Sequence, residues 1–388
     1  MDFFLSNIVK QSSEALSIKY NTIVYEKQRK GEDVIVLSLG EAFFDIPLFS
    51  FDSLPKNKIY HYSDSKGIPE LRKKLAQYYH KKYNVSVDFE NQILITAGSK
   101  IGIHMTLMSI LNPNDEVLIH EPAWVSYTEE VKLCYGKPVH IPYSKSAYDF
   151  EEFITKNTKM IIINNPNNPT GKIYDKNELT YIVDLAKKYD LTVLSDEAYS
   201  DFLLDEEMFT SIGEIDKEKM NSVIVNSMSK NYGMSGWRIG YVISNSYFIG
   251  QLLKVNQHLI TCPATILEYY LNEYFDKIIS ITIPQIIKLL KIRKEISYYM
   301  DQISLKYLPG DATFYFFVSI KDSCLSSEEF TLRLLKEKNI SVVPGIGYGK
   351  SCDKFIRVSF GVESVERIKK GLFEIKELIK KTISNEAE

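Results

Sequence analysis

The sequence lacks three features that would narrow its class at once: a cysteine framework, an excess of charge of one sign, and long apolar stretches. Its four cysteines in 388 residues are far apart and form no C-x-x-C pair, so we expect free thiols in a reducing compartment. Lys and Arg total 47 against 50 Asp and Glu, a net charge of -3. This balance argues against nucleic acid or an anionic membrane as the main partner.

No window approaches the roughly 18–20 apolar residues that a membrane-spanning helix requires. The start of the chain, MDFFL, has an acidic second residue and only a short apolar run, whereas a secretory signal begins with basic residues and continues with a longer apolar stretch. We therefore expect a cytoplasmic protein that does not bind membranes. The six histidines show no metal-ligand spacing, and no metal site is predicted.

Short apolar runs alternate with helix-length amphipathic segments from about residue 90 onward. Near-continuous apolar strands separated by helices are typical of a mostly parallel sheet covered on both faces, so we predict an α/β domain. The predicted strands lie at 93–95, 116–119, 160–163, 191–194, 223–225 and 239–243. An earlier strand is predicted at 34–39, after a helix that ends at Gly31.

The order of elements changes after residues 263–300, which we interpret as one long helix or as two helices broken at Pro284. Two strands, a helix, two strands and a last helix at about 364–381 follow in the prediction. A change from βα alternation to α+β order indicates a second, smaller domain.

The segment SMSKNYGMSGWRIGY at 227–241 carries the strongest chemical signal. It follows an apolar strand, where ligand-binding residues of α/β sheets concentrate. Lys230 can condense with an aldehyde if a desolvated site lets it lose its proton. Ser227 and Arg238 supply a hydroxyl and a guanidinium, which are groups that bind phosphate. Taken alone, Lys230 has the ordinary interpretation of most lysines, a solvated surface charge; the whole set of residues gives it significance.

Two further segments suit an anionic ligand. The turn AGSK at 97–100 enters a helix, and a helix amino end presents free N–H groups and a favourable dipole to an anion. Arg357 lies in the middle of a predicted strand of the smaller domain. An unpaired charge is unfavourable there, and a bidentate anionic partner would resolve it.

Together these segments resemble the class I/II aminotransferases, pyridoxal-phosphate enzymes of the aspartate aminotransferase fold type (fold type I). The pattern S-x-S-K-x-x-x-x-x-G-x-R-x-G-Y at 227–241 is nearly diagnostic of that group, and its other motifs follow in the right order from Gly40 to Arg357. The resemblance implies a mostly parallel seven-stranded sheet with helices on both faces plus a smaller α+β domain. The predicted bounds are 1–47 for an N-terminal arm and part of the small domain, 48–290 for the large cofactor-binding domain and 291–388 for the small C-terminal domain.

The resemblance assigns roles to the residues around the cofactor. Lys230 would form the Schiff base and shuttle the substrate proton, and Asp196 would face the ring nitrogen, although an acid at this position could simply cap a turn. Tyr199 and Asn168 would bond to the cofactor O3′. The remaining cofactor contacts implied are Gly98, Ser99, Lys100, Ser227 and Arg238 at the phosphate, and Trp124 stacked on the ring, where a core position is the alternative.

Other implied roles concern the substrate and a second subunit. Arg357 and Gly40 would bind the substrate α-carboxylate, with Asn168 as a further substrate contact. Tyr62 would reach the phosphate of the neighbouring subunit, which implies a homodimer with composite active sites. Lys100 resembles a lysine that reads an acidic side chain in one subgroup, and a surface charge is the equal alternative.

Two departures from the family pattern weaken any transfer of substrate identity. Ala42 stands where the family has a proline after Gly40-Glu41, and Glu268 stands where glutamine is commoner. The letters PGIGYGKS at 344–351 come close to a phosphate-binding loop, but proline replaces the first required glycine, so we interpret them as a loop near the active-site rim.

The sequence therefore predicts a pyridoxal-phosphate-dependent aminotransferase that moves an amino group from an L-amino acid to a 2-oxo acid, such as 2-oxoglutarate, by a ping-pong mechanism. The main alternative is a pyridoxal-phosphate lyase or another non-transaminating enzyme of the same fold, because fold and cofactor residues do not separate these reactions. A cofactor-binding regulatory module is disfavoured, since no DNA-binding domain is recognised and Lys230, Asp196 and Arg357 are all present.

Overall fold

The computed structural model describes residues 3–205 and 208–383. The α-helices of this part are α1 (Asn7–Gln11), α2 (Leu16–Arg29), α3 (Pro69–Tyr83), α4 (Ser99–Ile110), α5 (Tyr127–Leu133), α6 (Lys176–Tyr189), α7 (Ile212–Ile215), α8 (Ser246–Leu259), α9 (Thr265–Gln302), α10 (Ser327–Lys338) and α11 (Val365–Lys381). The strands are β1 (Ile35–Val36), β2 (Ile93–Thr96), β3 (Glu116–His120), β4 (Lys137–Ile141), β5 (Thr158–Asn164), β6 (Thr192–Asp196), β7 (Ser222–Ser227), β8 (Gly240–Ile243), β9 (Tyr315–Ser319), β10 (Ile340–Ser341), β11 (Val343–Pro344) and β12 (Phe355–Ser359).

A seven-stranded sheet in the order β2-β8-β7-β6-β5-β3-β4 forms the larger part of the fold. Strands β3 to β7 are parallel and β8 is antiparallel to both of its neighbours. Alternate residues of a strand belong to two separate cores: Ile161 of β5 packs in one and Ile162 in the other. Both faces are therefore covered by helices, and the predicted α/β class is confirmed.

Six of these strands coincide with the apolar runs of the sequence, and the seventh, β4, does not. Its sequence KPVHI includes a proline and a histidine, and only Ile141 is fully buried. Because β4 is one of the two edge strands, it pairs on one side only, and partly exposed or polar residues are tolerated there.

The second sheet is antiparallel, in the order β11-β12-β9, and it contains Arg357 at the centre of β12. One strand, β9, lies between α9 and α10, and three strands lie between α10 and α11, so the prediction of two strands in each place was wrong. Before α10, Tyr307 forms just an isolated bridge to Val318 of β9. The strand predicted at 34–39 shortens to β1, which pairs with β10. The Leu37 N–H still donates to the carbonyl of Ser341. After Leu37 the chain turns toward the cavity described below.

Helix α9 is continuous through Pro284. Of the two alternatives predicted, one long helix is confirmed and two helices broken at Pro284 is wrong. A proline inside a helix costs about 3 kcal/mol. Buried residues on both sides of it outweigh that cost, because Ile278 packs in the large-sheet core and Ile286 in the core around β9 and β12.

The predicted domain boundary at 290 falls within α9, and the domain bounds remain a prediction. Residues 1–2, 206–207 and 384–388 of those predicted domains lie outside the described residues. Within the described ranges, no helix is both long and apolar enough to cross a membrane.

Candidate active site

A cavity of about 330 Å³ opens where β5, β6 and β7 end. Because parallel strands end at the same edge of a sheet, their last residues Asn164, Asp196 and Ser227 come together there. The predicted site residues that line the cavity are Gly40, Ser99, Lys100, Trp124, Asn168, Asp196, Tyr199, Ser227, Lys230, Arg238 and Arg357.

Lys230 follows β7 and extends into this cavity, where its Nζ donates a hydrogen bond to the carbonyl of Gly40. Desolvation lowers the pKa of Lys230 to about 8; the carboxylate of Glu41 opposes this, and the nearby charge of Arg357 lowers it further. An amine with a pKa near 8 is neutral in an appreciable fraction of molecules at neutral pH. Lys230 can therefore act both as a nucleophile and as a proton carrier.

Asp196 ends β6 and is 6% exposed. Its carboxylate accepts a hydrogen bond from the Tyr127 hydroxyl at 2.6 Å and another from the backbone N–H of Ala198 at 3.1 Å. Burial raises the pKa of Asp196, and these two bonds act in the opposite direction. The site thus contains a nearly buried acid whose position is held by two donors, as a partner for a protonated ring nitrogen would require.

Asn168 and Tyr199 are brought together by a chain of polar contacts. The backbone N–H of Asn168 donates to the side chain of Asn164 at 2.6 Å, and the Asn168 amide donates to the Tyr199 hydroxyl at 3.5 Å. The Tyr199 hydroxyl also lies 2.9 Å from that of Tyr315. Burial raises the pKa of Tyr199 well above its usual value, so its hydroxyl keeps its proton.

The amino end of α4 also lines the cavity. Gly98 precedes it with φ +85°, and no side chain caps this end. A Cβ on Gly98 would lie 2.4 Å from the Arg238 guanidinium, and one on Gly240 would lie 2.5 Å from the N–H nitrogen of Ser99. Glycine at both positions therefore lets a guanidinium and a helix amino end converge, an arrangement suited to a phosphate.

Lys100 and Trp124 meet at the cavity wall. The Lys100 Nζ lies 4.9 Å from the centroid of the Trp124 ring, and that ring packs edge-on against Tyr127 at 5.2 Å. Trp124 is only partly buried and faces the cavity. The Lys100 ammonium is held partly away from water, and this burial lowers its pKa.

Arg357 is 3% exposed and has donors left over. Its Nη2 donates to the carbonyl of Ser38 at 2.6 Å and its Nη1 to the side-chain oxygen of Asn168 at 3.3 Å. Its Nε has no hydrogen-bond partner among the described residues. The guanidinium carbon lies 4.5 Å from the Tyr315 ring centroid. A buried guanidinium with an unused donor is suited to binding a carboxylate.

Tyr62 lies outside the cavity of its own chain. Its side chain is 86% exposed, and the next residue, Ser63, donates a hydrogen bond at 2.6 Å to the carboxylate of Glu268. The reach of Tyr62 into a neighbouring subunit stays a prediction.

Several residues of the cavity were not predicted. Ala15, Ile18 and Asn21 of the N-terminal segment line it, as does Glu41, which accepts a hydrogen bond from the Ser235 hydroxyl. Tyr315 and Asn164 were also missed. Asn164 could have been found because it begins the Asn-rich cluster at the end of β5, and Glu41 because it directly follows Gly40 in the family motif. The others have no local signal, since only tertiary packing brings them to the cavity.

The cavity residues fit pyridoxal phosphate. Lys230 offers a neutralisable amine to an aldehyde, Asp196 offers a held carboxylate to a ring nitrogen, and the amino end of α4 with Arg238 offers donors to a phosphate. Each of the three polar ends of that cofactor therefore has a matching group in one cavity.

The fold and this cavity define an α/β enzyme of fold type I that uses pyridoxal phosphate. Residues 33–371 match the family model for aminotransferase class I and II. The chain belongs to the class I/II aminotransferases, and it is a pyridoxal-phosphate-dependent aminotransferase.

Known relatives support the family and differ in substrate. An aspartate aminotransferase of Pyrococcus abyssi is 33% identical, with 89% of this chain and 93% of the relative covered. A (5-formylfuran-3-yl)methyl phosphate transaminase of Methanocaldococcus jannaschii is 35% identical, with 91% and 94% covered. The crystal structure of Thermus thermophilus aspartate aminotransferase with maleate superposes with a TM-score of 0.87 at 27% identity, covering 97% of this chain and 100% of that one.

Proposed function

We propose that this aminotransferase moves the amino group of an L-amino acid to 2-oxoglutarate in a ping-pong reaction, with Lys230 as the lysine that carries the cofactor. The observation on which this rests is the pairing, in one cavity, of a lysine whose pKa is about 8 with a buried arginine that has an unused donor. The first suits covalent chemistry at an amine, and the second suits the α-carboxylate of an amino acid.

The cofactor, when bound, supplies an electron-withdrawing ring that stabilises negative charge at the substrate Cα. Asp196 would keep the ring nitrogen protonated, and Tyr199 and Asn168 would donate hydrogen bonds to the O3′ oxygen. Trp124 would stack on the ring. The phosphate contacts proposed are the Ser227 hydroxyl, the Arg238 guanidinium and the backbone of Gly98, Ser99 and Lys100.

The substrate contacts and the proton transfer follow from the same geometry. Arg357 would bind the α-carboxylate, with Asn168 beside it and the backbone of Gly40 completing the contact. Lys230 would take the proton from the substrate Cα at its Nζ, because desolvation favours the neutral amine. Tyr199 would remain a hydrogen-bond donor throughout, since burial keeps its hydroxyl protonated.

We also propose a homodimer in which Tyr62 contributes to the phosphate site of the partner. The support is the exposure of large side chains in the two segments before α3: Phe43 is 63%, Leu48 76%, Tyr60 83% and Tyr62 86% exposed. Exposed apolar groups of this size are typical of interaction surfaces. Measurement of the molar mass in solution tests this, and a purely monomeric active enzyme would contradict it.

The preference of the enzyme for one substrate side chain over another can be tested at Lys100, whose ammonium faces the cavity beside Trp124. If it binds an acidic side chain, Lys100→Ala should lower kcat/KM for aspartate and glutamate by about 30-fold or more, because it removes one member of a partly buried charge pair. The value for alanine or phenylalanine should change less than about threefold. An equal loss for acidic and neutral substrates would remove Lys100 from substrate recognition.

A panel of L-amino acids mixed with the holoenzyme tests the donor and the acceptor. The absorption spectrum of the bound cofactor should change with a true donor in the absence of any oxo acid, and 2-oxoglutarate should restore it with formation of glutamate. Restoration by another oxo acid only would overturn the proposed acceptor. Release of ammonia and pyruvate without such a reversible change would instead indicate elimination.

A further inference from the structure

The glycine-rich segment that follows β11 does not serve as a phosphate-binding loop. We call residues 344–352 the rim loop; it comprises two short 3-10 turns, Gly345–Tyr348 and Lys350–Cys352, joined at Gly349. Such a Gly-Lys-Ser segment can direct successive N–H groups toward an anion. In this fold, the anion in contact with those groups is the side chain of Glu121, which follows β3.

Glu121 is held by three donors of the rim loop. The backbone N–H groups of Lys350 and Ser351 each donate to its carboxylate at 2.9 Å, and the Ser351 hydroxyl donates to the same carboxylate. A Cβ on Gly349, which has φ +139°, would lie 2.1 Å from the carboxyl carbon. Glycine is therefore required for this close approach.

The Glu121 side chain is 2% exposed, yet it remains a carboxylate. Burial alone would raise the pKa of Glu121, but the contacts of His140 and Ser351 outweigh it and lower the pKa. The His140 Nδ1 lies 3.1 Å from the carboxylate. Hydrogen bonds to a charged acceptor are stronger than those between neutral groups. The bonds between Glu121 and the rim loop therefore attach firmly two segments that are far apart in the chain.

One of the attached segments carries Trp124, which lines the cavity, and the other packs beside Arg357. Trp124 follows Glu121 by three residues, and between them the Ala123 N–H donates to the carbonyl of Tyr348 at 2.9 Å. The Tyr348 ring centroid lies 5.6 Å from the Arg357 guanidinium carbon. The rim loop, whose Tyr348 ring lies beside Arg357, is therefore attached to the segment that carries Trp124 in the cavity wall.

We propose that Glu121 is a positioning residue: its carboxylate occupies the anion-binding turn of the rim loop and thereby holds Trp124 and Tyr348 in register with Arg357. Its effect is on how well the substrate carboxylate is bound rather than on the chemical step. The proposal rests on the proposed function only in assigning the substrate carboxylate to Arg357.

The test compares Glu121→Gln with Glu121→Asp and Ser351→Ala in the holoenzyme. Glutamine has one acceptor oxygen for three donors and no charge, so KM for the amino acid should rise about tenfold while kcat changes less than about threefold. Glu121→Asp retains the charge and should recover part of this loss. Ser351→Ala removes one donor and should raise KM about two- to threefold.

Hydrogen exchange of the Lys350 and Ser351 amides provides a readout that is independent of activity. Exchange at both amides should be at least about tenfold faster in Glu121→Gln than in the unmodified protein. Unchanged exchange in Glu121→Gln would show that the attachment does not exist. Faster exchange in which kcat falls while KM stays constant would overturn the positioning role. If Glu121→Gln does not fold, unchanged KM and exchange in Ser351→Ala would overturn the proposal. If the unmodified enzyme showed no transamination while its Lys350 and Ser351 amides were protected from hydrogen exchange, only the proposed function would be contradicted.

Discussion

Replacing Lys230 by methionine is expected to lower kcat for transamination by about 10⁴-fold or more, the largest effect of any single substitution in this chain. Methionine keeps much of the length of the side chain but has no amine, so both the covalent attachment and the proton transfer at Nζ are lost. The measurement is single-turnover conversion of amino acid by the variant loaded with excess cofactor. The fold should survive, because the Lys230 side chain makes a single hydrogen bond within the described part of the chain, to the Gly40 carbonyl.

Lys219→Met is the matched control. Lys219 is 1% exposed, and its Nζ donates to the carbonyls of Ser86 and Lys217, outside the cavity. Its replacement should reduce thermal stability but leave kcat within about twofold at 25 °C. If Lys230→Met kept more than about 1% of the unmodified kcat, Lys230 would not be the proton carrier.

Asp196→Asn is expected to lower kcat by about 10³-fold with little change in the shape of the site. The asparagine is nearly isosteric and keeps an acceptor for the Tyr127 hydroxyl, which lies 2.6 Å from the aspartate. It lacks the negative charge that keeps the ring nitrogen protonated, and a preorganised charge at a reacting centre contributes on this scale. Steady-state kinetics with a saturating donor, and the absorption spectrum of the bound cofactor, measure the effect.

Tyr127→Phe separates the charge of Asp196 from its hydrogen bond. The phenylalanine removes one donor to the carboxylate but leaves the charge, so kcat should fall about tenfold or less. Equal losses in Asp196→Asn and Tyr127→Phe would show that the hydrogen bond rather than the charge is responsible, and would contradict the role proposed for Asp196.

The large sheet was predictable because its central strands are buried on both faces. The run at 160–163 became β5 and the run at 191–194 became β6 with shifts of one or two residues, since a strand covered on both sides must be apolar throughout. Edge strand β4 escaped prediction because solvent removes that requirement. Pro284 left the prediction open between one helix and two, because a local helix-breaking signal gives no measure of the tertiary burial along α9 that outweighs it.

The candidate site divides in the same way. Lys230, Ser227 and Arg238 share one short segment, so their association was visible in the spacing of the sequence. Ile18 and Tyr315 belong to segments nearly 300 residues apart and both line the cavity. Neither is distinguished from an ordinary apolar or strand residue by its neighbours in sequence.

Glu121 shows how the structure changed the meaning of a motif. Because Pro344 replaces the first glycine of a phosphate-binding loop, the sequence predicts only a loop near the active-site rim. In the structure, the N–H groups of Lys350 and Ser351 nevertheless bind an anion. Which anion they bind could not be read from the sequence, because the carboxylate lies 229 positions away from Lys350.

The sequence by itself determined the α/β class, the order of the central strands' apolar runs, and the local groups that would react with an aldehyde, a phosphate and a ring nitrogen. These depend on burial patterns and on residues close together in the chain. The tertiary structure alone decided that the N-terminal segment with Ile18 lines the cavity and that Glu121 occupies the rim loop. It also brings Arg357 and Lys230 into one cavity, which the sequence implied only through the family resemblance. Such pairings arise when distant segments pack, and local sequence carries no record of the distances between them.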